Sequence, residues 1–343
     1  MSTGDVVTSS TGTSSTTSSS AMAELARESR MGGEGVERDR EIPRIDLSDF
    51  EARRAEITDQ LWTAATEIGF FQVVGHGIEP ELVDLAFAGA AAFFDLPVEV
   101  KGKYPLDRPT NSGWESGTQV RPSVGTPDRK ESYQITRPHM DGLWPTEDEL
   151  PGFRESMLGF ERRCWTLAMQ VLSCFADRLG FERDFFTRAH DPSSDTYQST
   201  LRILHYPALP EGTATAPGTW RAGAHTDFDC LTLLFQRAGQ GGLQVCPGRD
   251  LDAPEWTSVT PSDEAITCNI GDMLMRWSDD RLLSNFHRVR LPGAGEHTGP
   301  RYSIPFFAQA NREVLIETPD GTYPPMTARD YLLERIRANY GSR

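Results

Sequence analysis

The chain has 343 residues and a formal net charge of −16, from 50 acidic against 34 basic side chains. That balance repels phosphate backbones, and no basic stripe interleaved with aromatics offsets it, so no nucleic-acid partner is expected. The length allows one sizeable core, as a single large domain or two intimate lobes. No segment approaches a membrane span, and the five scattered cysteines lack a C-x-x-C, so they read as reduced core thiols rather than disulfides or a structural zinc site.

Residues 1–40 open on a Ser/Thr run without aromatics, a composition that cannot bury enough apolar surface to offset chain entropy. They are expected to be a disordered tail, with residues 1–33 removable at little cost in stability or turnover. No basic start precedes an apolar stretch there, so neither a secretory signal nor an anchor is expected and the protein is placed in the cytoplasm. From Ser48 to Ile68 the apolar Ile57, Leu61, Ala65 and Ile68 recur at helical spacing, and Phe70–Val74 follows as a buried strand. His76 lies between Gly75 and Gly77 and is read as a turn residue rather than a ligand. A second helix is expected over Pro80–Phe94, a Gly/Ser-containing loop over Asn111–Gln119, and a long helix over Pro151–Gly180 whose stripe of Leu158, Trp165, Leu172, Phe175 and Leu179 belongs to the core. After Thr200 short strands alternate with Gly/Pro turns, an all-β, barrel-like roll, and a helix over Thr327–Tyr340 ends the chain.

Within that roll, His225-Thr226-Asp227 is followed by His287 and then by Arg301-Tyr302-Ser303. Residues i and i+2 of a strand share a face, so His225 and Asp227 would converge while Thr226 points away, and Arg301 and Ser303 would present a guanidinium fork and a hydroxyl together. Two histidines and a carboxylate on one side of a metal leave its other side open, as in non-heme iron(II) oxygenases. Short patterns also occur by chance. His139-Met140-Asp141 repeats the first motif between Pro138 and Gly142, in a loop, and Arg154-Glu155-Ser156 repeats the second inside a helix, where i and i+2 do not face each other. On spacing alone, His225, Asp227 and His287 fit a metal site and a satisfied polar cluster alike.

The wider sequence resembles the isopenicillin N synthase-like family of iron(II)/2-oxoglutarate dioxygenases over nearly everything after residue 41. GAHTDFDCLTLLFQ with GGLQV, ITCNIGDMLMRWSDDRLLSNFHRVRLP and RYSIPFF are similar to its metal-binding, distal-histidine and acid-binding segments, and IPRIDLS, EIGFFQVVGHGI and FFDLPVEVKGKY to its amino-terminal motifs. The resemblance implies a mixed α and β fold, a double-stranded β-helix of jelly-roll, cupin-like type flanked by helices, with an amino-terminal helical and strand lobe. The segments expected are an amino-terminal lobe over 41–150, a helical connection over 151–196, the oxygenase core over 197–311, and a carboxy-terminal segment and helix over 312–343. It further implies Fe(II) held by His225, Asp227 and His287, the distal carboxylate of 2-oxoglutarate held by Arg301, Ser303 and Tyr206, and O2 as oxidant. Leu204 departs from the pattern: plant members usually carry asparagine there, near the metal-binding end of the co-substrate.

The activity so implied is oxidation of a small molecule by hydroxylation, desaturation or ring closure, with release of succinate and CO2. Asp227 counts against a halogenase, in which a small residue replaces the carboxylate. Two alternatives stand beside it: a 2-oxoglutarate-independent, ring-closing oxidase resembling isopenicillin N synthase, in which Arg301 and Ser303 would serve the substrate's own carboxylate, and a catalytically silent binding protein on the same barrel. Neither the substrate nor the oligomeric state is legible. By position alone, Phe228, Phe307 and the Asn111–Gln119 segment are pocket candidates.

Overall fold

The computed structural model describes residues 30–33, 35–119, 128–209, 220–248 and 253–340, together with Glu28 and Ser123. Its larger sheet runs in the order β2 (Arg44–Asp46), β3 (Phe70–Val74), β11 (Ile266–Ile270), β8 (Leu231–Phe235), β13 (Arg301–Ala308), β6 (Thr200–Tyr206), β5 (Glu131–Ile135), β4 (Gly113–Ser116). A smaller sheet runs β1 (Val36–Glu37), β10 (Glu255–Ser258), β9 (Leu243–Cys246), β12 (Phe286–Arg290), β7 (Trp220–His225), and β14 (Leu315–Ile316) pairs with β15 (Met326–Thr327) alone. Strands from the first 150 residues therefore occupy both ends of the larger sheet, and strands from after residue 199 fill its middle. The two parts of the chain share one sheet.

Alternation sorts each strand's side chains between two faces. On one face Leu231, Leu233 and Phe235 of β8, Ile304, Phe306 and Ala308 of β13, and Leu201 and Ile203 of β6 are buried. They meet a layer of helices, α1 (Phe50–Glu67), α2 (Pro80–Asp95) and α4 (Phe153–Leu179), which place Ile57, Leu61, Phe93, Leu172 and Phe175 in the same core. Helix α4 lies inside the expected span, with Leu158 and Trp165 of its stripe packed at the rim of the core. Helix α1 ends where Gly69 takes φ 74°, a left-handed turn in which a side chain would strike the Leu283 carbonyl. The shorter helices are α3 (Val98–Lys101), α5 (Phe185–Ala189) and α6 (Asp272–Trp277), and α7 (Ala328–Tyr340) follows β15.

The opposite face of the larger sheet carries Thr232, Arg301, Ser303, Phe307, Arg202, Leu204 and Tyr206. With Ala222, Leu243, His287 and Val289 of the smaller sheet they line a cavity of about 600 Å³. Two sheets around such a cavity, with helices over one of them, form the double-stranded β-helix expected from the sequence. Between β13 and β6 the ladder pairs Ser303 with Leu204 and resumes at Phe306 with Leu201. Pro305, which has no N–H to donate, lies in the interruption.

Two expectations are corrected. Asn111–Gln119 is not a continuous loop: Gly113–Ser116 is strand β4, paired with β5, because Trp114 and Glu115 have cross-strand partners in Tyr133 and Ser132. Nor does the structureless reading of residues 1–40 hold at its end, since β1 pairs in parallel with β10 and Met31 is buried with Ala224, Cys246, Trp256 and Phe286. Arg288 Nη1 also donates to Gly33 O (2.9 Å). Strand pairing, the Arg288 contact and one methionine in a Trp/Phe-lined recess together dock a segment whose average composition is polar; residues 1–27 lie outside the described residues. His76 is a turn residue as expected, its Nδ1 accepting from the Ile78 N–H (3.2 Å).

Met31→Ala should destabilise the protein by about 2–5 kcal/mol, the usual cost of emptying a buried methionine site. Urea denaturation measures this, and a midpoint equal to wild type would show that Met31 does not dock.

Candidate metal and carboxylate site

Strand β7 ends at His225, and the register sets His225 opposite His287 on the neighbouring β12. Their ring centroids are 4.3 Å apart, and His287 Nε2 lies 3.7 Å from Asp227 Oδ1. One donor atom from each of the three residues falls within 4.8 Å of the others. Asp227 itself stands just beyond the strand, so the i, i+2 argument finds the right pair for an incomplete reason. Hydrogen bonds rather than strand geometry aim its carboxylate: Asn269 Nδ2 of β11 (2.9 Å) and Thr232 Oγ1 of β8 (2.7 Å) both donate to Oδ2. Thr226 points away as expected, donating to Asp272 Oδ2 (2.9 Å).

The histidines are oriented from behind. His225 Nδ1 lies 2.8 Å from the Gly223 carbonyl, a contact in which the ring must be the donor, which makes Nε2 the atom that could take a metal. His287 Nδ1 lies 3.5 Å from Asn285 O, and Phe70 meets the His287 ring edge-on at 5.5 Å between centroids. Asp128 accepts from Gly223 N at Oδ1 (3.2 Å) and pairs with Lys130 Nζ through Oδ2 (2.9 Å), so a buried ion pair fixes the backbone that holds His225. On the other side of the loop, buried Arg335 of α7 pairs with Asp272, donates to Thr226 Oγ1 (3.2 Å) and covers the Phe228 ring at 4.8 Å. Both neighbours of Asp227 are thereby held by the last helix.

Arg301 and Ser303 do lie together on the cavity face of β13, with the guanidinium 3.4 Å from the Ser303 hydroxyl and over the Tyr206 ring at 4.9 Å. Tyr206 is the cross-strand partner of Arg301, and Leu204 that of Ser303. Arg301 Nε donates to Gln240 O (3.1 Å), and the Gln240 carboxamide accepts from Tyr302 N (3.0 Å), so one loop residue fastens both sides of the strand. Burial pulls the Arg301 guanidinium below its ordinary range, with Tyr206 opposing. No carboxylate among the described residues pairs with it. A buried cation beside two hydroxyl groups fits an acid as ligand.

The donor set of two imidazoles and one carboxylate fits a six-coordinate divalent metal with open positions, and the cavity joins it to the acid site. The control motifs stay apart from it: His139 ends a short 3-10 turn and Arg154 lies on α4. Asn269, Thr232, Asp272 and Arg335 are absent from the sequence reading. Asn269 and Thr232 had a local signal, since each occupies the inward position of a strand whose flanking residues, Cys268 and Ile270 or Leu231 and Leu233, point to the core.

Comparison with known proteins follows the same lines. Residues 42–150 match the family model for the non-haem dioxygenase in morphine synthesis N-terminal domain, and residues 197–310 match that of the 2OG-Fe(II) oxygenase superfamily. The chain is 35% identical over 297 residues to proline hydroxylase buaE of Petromyces alliaceus, covering 81% of this chain and 90% of the relative. It is 33% identical over 332 residues to the 2-oxoglutarate-Fe(II) type oxidoreductase hxnY of Emericella nidulans, covering 87% and 90%. Among solved structures, the full-length thymine 7-hydroxylase of Neurospora crassa in complex with alpha-KG and thymine superposes with a TM-score of 0.77 at 32% identity, over 87% of this chain and 97% of that one.

Asn269→Ala should keep all three candidate ligand side chains yet lower the affinity for iron(II) about 10–100-fold, because it removes a donor that orients Asp227. Asp227→Ala should abolish equimolar binding. Competition against a chromogenic chelator measures both, and wild-type affinity in Asp227→Ala would remove that residue from the site.

Proposed function

The chain belongs to the 2OG-Fe(II) oxygenase superfamily, and from that membership we propose that His225, Asp227 and His287 bind its iron(II) while Arg301, Ser303 and Tyr206 hold the distal carboxylate of 2-oxoglutarate. The protein is an iron(II)- and 2-oxoglutarate-dependent dioxygenase that uses O2. Bound iron(II) and 2-oxoglutarate supply O2 activation coupled to decarboxylation of the co-substrate to succinate and CO2, with oxidation of one substrate C–H bond. The observation that carries the residue assignment is a single cavity with a three-donor cluster on one wall and, on another, a buried guanidinium with no carboxylate partner among the described residues.

Each side chain then has a task its surroundings prepare. Asn269 and Thr232 hold the Asp227 carboxylate in one orientation, so little reorganisation is needed when it takes a metal. Arg301 and Ser303 offer a planar fork and a hydroxyl to one end of a dicarboxylate, and Tyr206 packs beneath the fork. Leu204 puts a hydrocarbon group where plant members have an amide, so at that point the chain offers the co-substrate contact without a hydrogen bond. Phe70 and Leu243 shield the metal side of the cavity and help exclude water.

The substrate is a small molecule on this reading, supported by the 600 Å³ cavity and by structural neighbours solved with thymine or 5-formyluracil. We place the protein in the cytoplasm, on five free, buried cysteines; none of the described helices is long and apolar enough to cross a membrane. Residues 41–150 are read as the amino-terminal lobe, 151–196 as the helical connection, 197–311 as the oxygenase core and 312–343 as the closing segment.

Arg301→Lys keeps the charge but loses the fork. It should weaken 2-oxoglutarate binding at least tenfold while changing iron affinity far less. The visible charge-transfer band formed when 2-oxoglutarate is added anaerobically to the iron(II) protein reports the affinity. Equal 2-oxoglutarate affinity in the variant would remove Arg301 from the co-substrate site.

A further inference from the structure

Strands β6 and β13 carry more than the acid site. Along β6, Arg202, Leu204 and Tyr206 face the cavity, and along β13 Arg301, Ser303, Pro305 and Phe307 do so. The two rows make a wall with three zones. Arg301, Ser303 and Tyr206 lie at one end, Leu204 and Pro305 form an apolar middle, and Arg202 lies at the other end, roughly 13 Å along the strand from Tyr206 at the usual rise per residue. Its guanidinium is stacked over the Phe307 ring at 5.0 Å, and Nη2 lies 3.4 Å from Asn111 Oδ1. Asn111 reaches it from a left-handed backbone conformation, φ 52°, that asparagine tolerates better than most residues. A half-buried arginine braced on an aromatic face and held at its edge is pre-set for a ligand.

The charges around it decide which ligand. Beyond the metal carboxylate and Arg301, the charged residues lining the cavity among those described are Arg108, Glu115, Lys130 and Arg202. Lys130 is committed to Asp128. Glu115 is engaged too: Gln119, Ser132 and Gln134 donate to Oε1 and Thr118 donates to Oε2, so a substrate ammonium group would compete there with four donors. Arg202 turns its guanidinium to the cavity, and with Glu115 close enough to offset part of its charge, the site suits one negative charge better than two.

Resting on the dioxygenase reading of the same cavity, we propose that Arg202, braced by Phe307 and Asn111, is the specificity residue for the primary substrate, a small molecule with an apolar body and a single carboxylate. The carboxylate pairs with Arg202, and the apolar body lies along Leu204 and Pro305 toward the metal side. The substrate and 2-oxoglutarate then use separate arginines on one sheet face, so their two acids do not compete.

The test titrates iron(II)- and 2-oxoglutarate-loaded protein anaerobically, by calorimetry, with a panel of aryl-alkanoic acids and N-acyl amino acids, each beside its primary amide and the corresponding amine. Acids should bind about 10–100-fold more tightly than their amides. Arg202→Gln should erase that preference, Arg202→Lys should restore part of it, and the loss of acid affinity in Arg202→Gln should exceed any loss of 2-oxoglutarate affinity at least tenfold. Any result in which acids are not preferred, including a panel in which no acid binds, overturns the assignment, as does a preference that survives Arg202→Gln. The 2-oxoglutarate charge-transfer band is read in the same samples: its absence in wild type would count against the co-substrate site at Arg301, while the acid-to-amide ratio continues to report on Arg202 alone.

Discussion

A strand has two faces, and in the larger sheet one of them is given over to the helices. Burying Leu231, Leu233 and Phe235 of β8 and Ile304, Phe306 and Ala308 of β13 against α1, α2 and α4 fixes the register of those strands, because a slip of one residue would send every apolar side chain into the cavity. The polar residues between them are then fixed as well. Arg301, Ser303, Arg202 and Thr232 face the cavity because their neighbours cannot leave the core. The helical layer thus sets the chemistry of a site that it does not touch.

Charges inside this site are held by partners rather than by solvent. Asp128 with Lys130 and Asp272 with Arg335 are buried pairs, and each braces one side of the metal loop, the first through Gly223 and the second through Thr226. Such pairs add little net stability, since desolvation offsets their attraction, but removing either member leaves a charge that cannot be solvated. Their value here is orientation. Arg301 differs in having no carboxylate partner among the described residues, which suits it to a ligand acid.

The protein's overall charge and its cavity have opposite characters. A formal charge of −16 belongs to the surface, where acidic side chains are solvated and screened, whereas the cavity wall carries Arg202 and Arg301 on one sheet face. Field lines from a buried guanidinium are less screened than those from surface carboxylates, so the local sign governs what binds. An acidic sequence total therefore says nothing against an acidic ligand.

Much of this was legible in one dimension because it rests on short periods. The helix spacing of Ile57, Leu61 and Ala65, the strand Phe70–Val74 and the Arg301/Ser303 pair follow from backbone geometry acting on neighbouring residues, and the His225/Asp227 pair does so only in part. Residue order could not show that β12 sets His287 opposite His225, that Asn269 and Thr232 aim Asp227 from two other strands, or that Arg335 closes on Thr226 from the last helix. Nor could it show that Met31 docks a polar segment. Local periodicity determined which residues share a face. Which faces meet depends on pairing and packing between distant segments, and only the tertiary structure decided that.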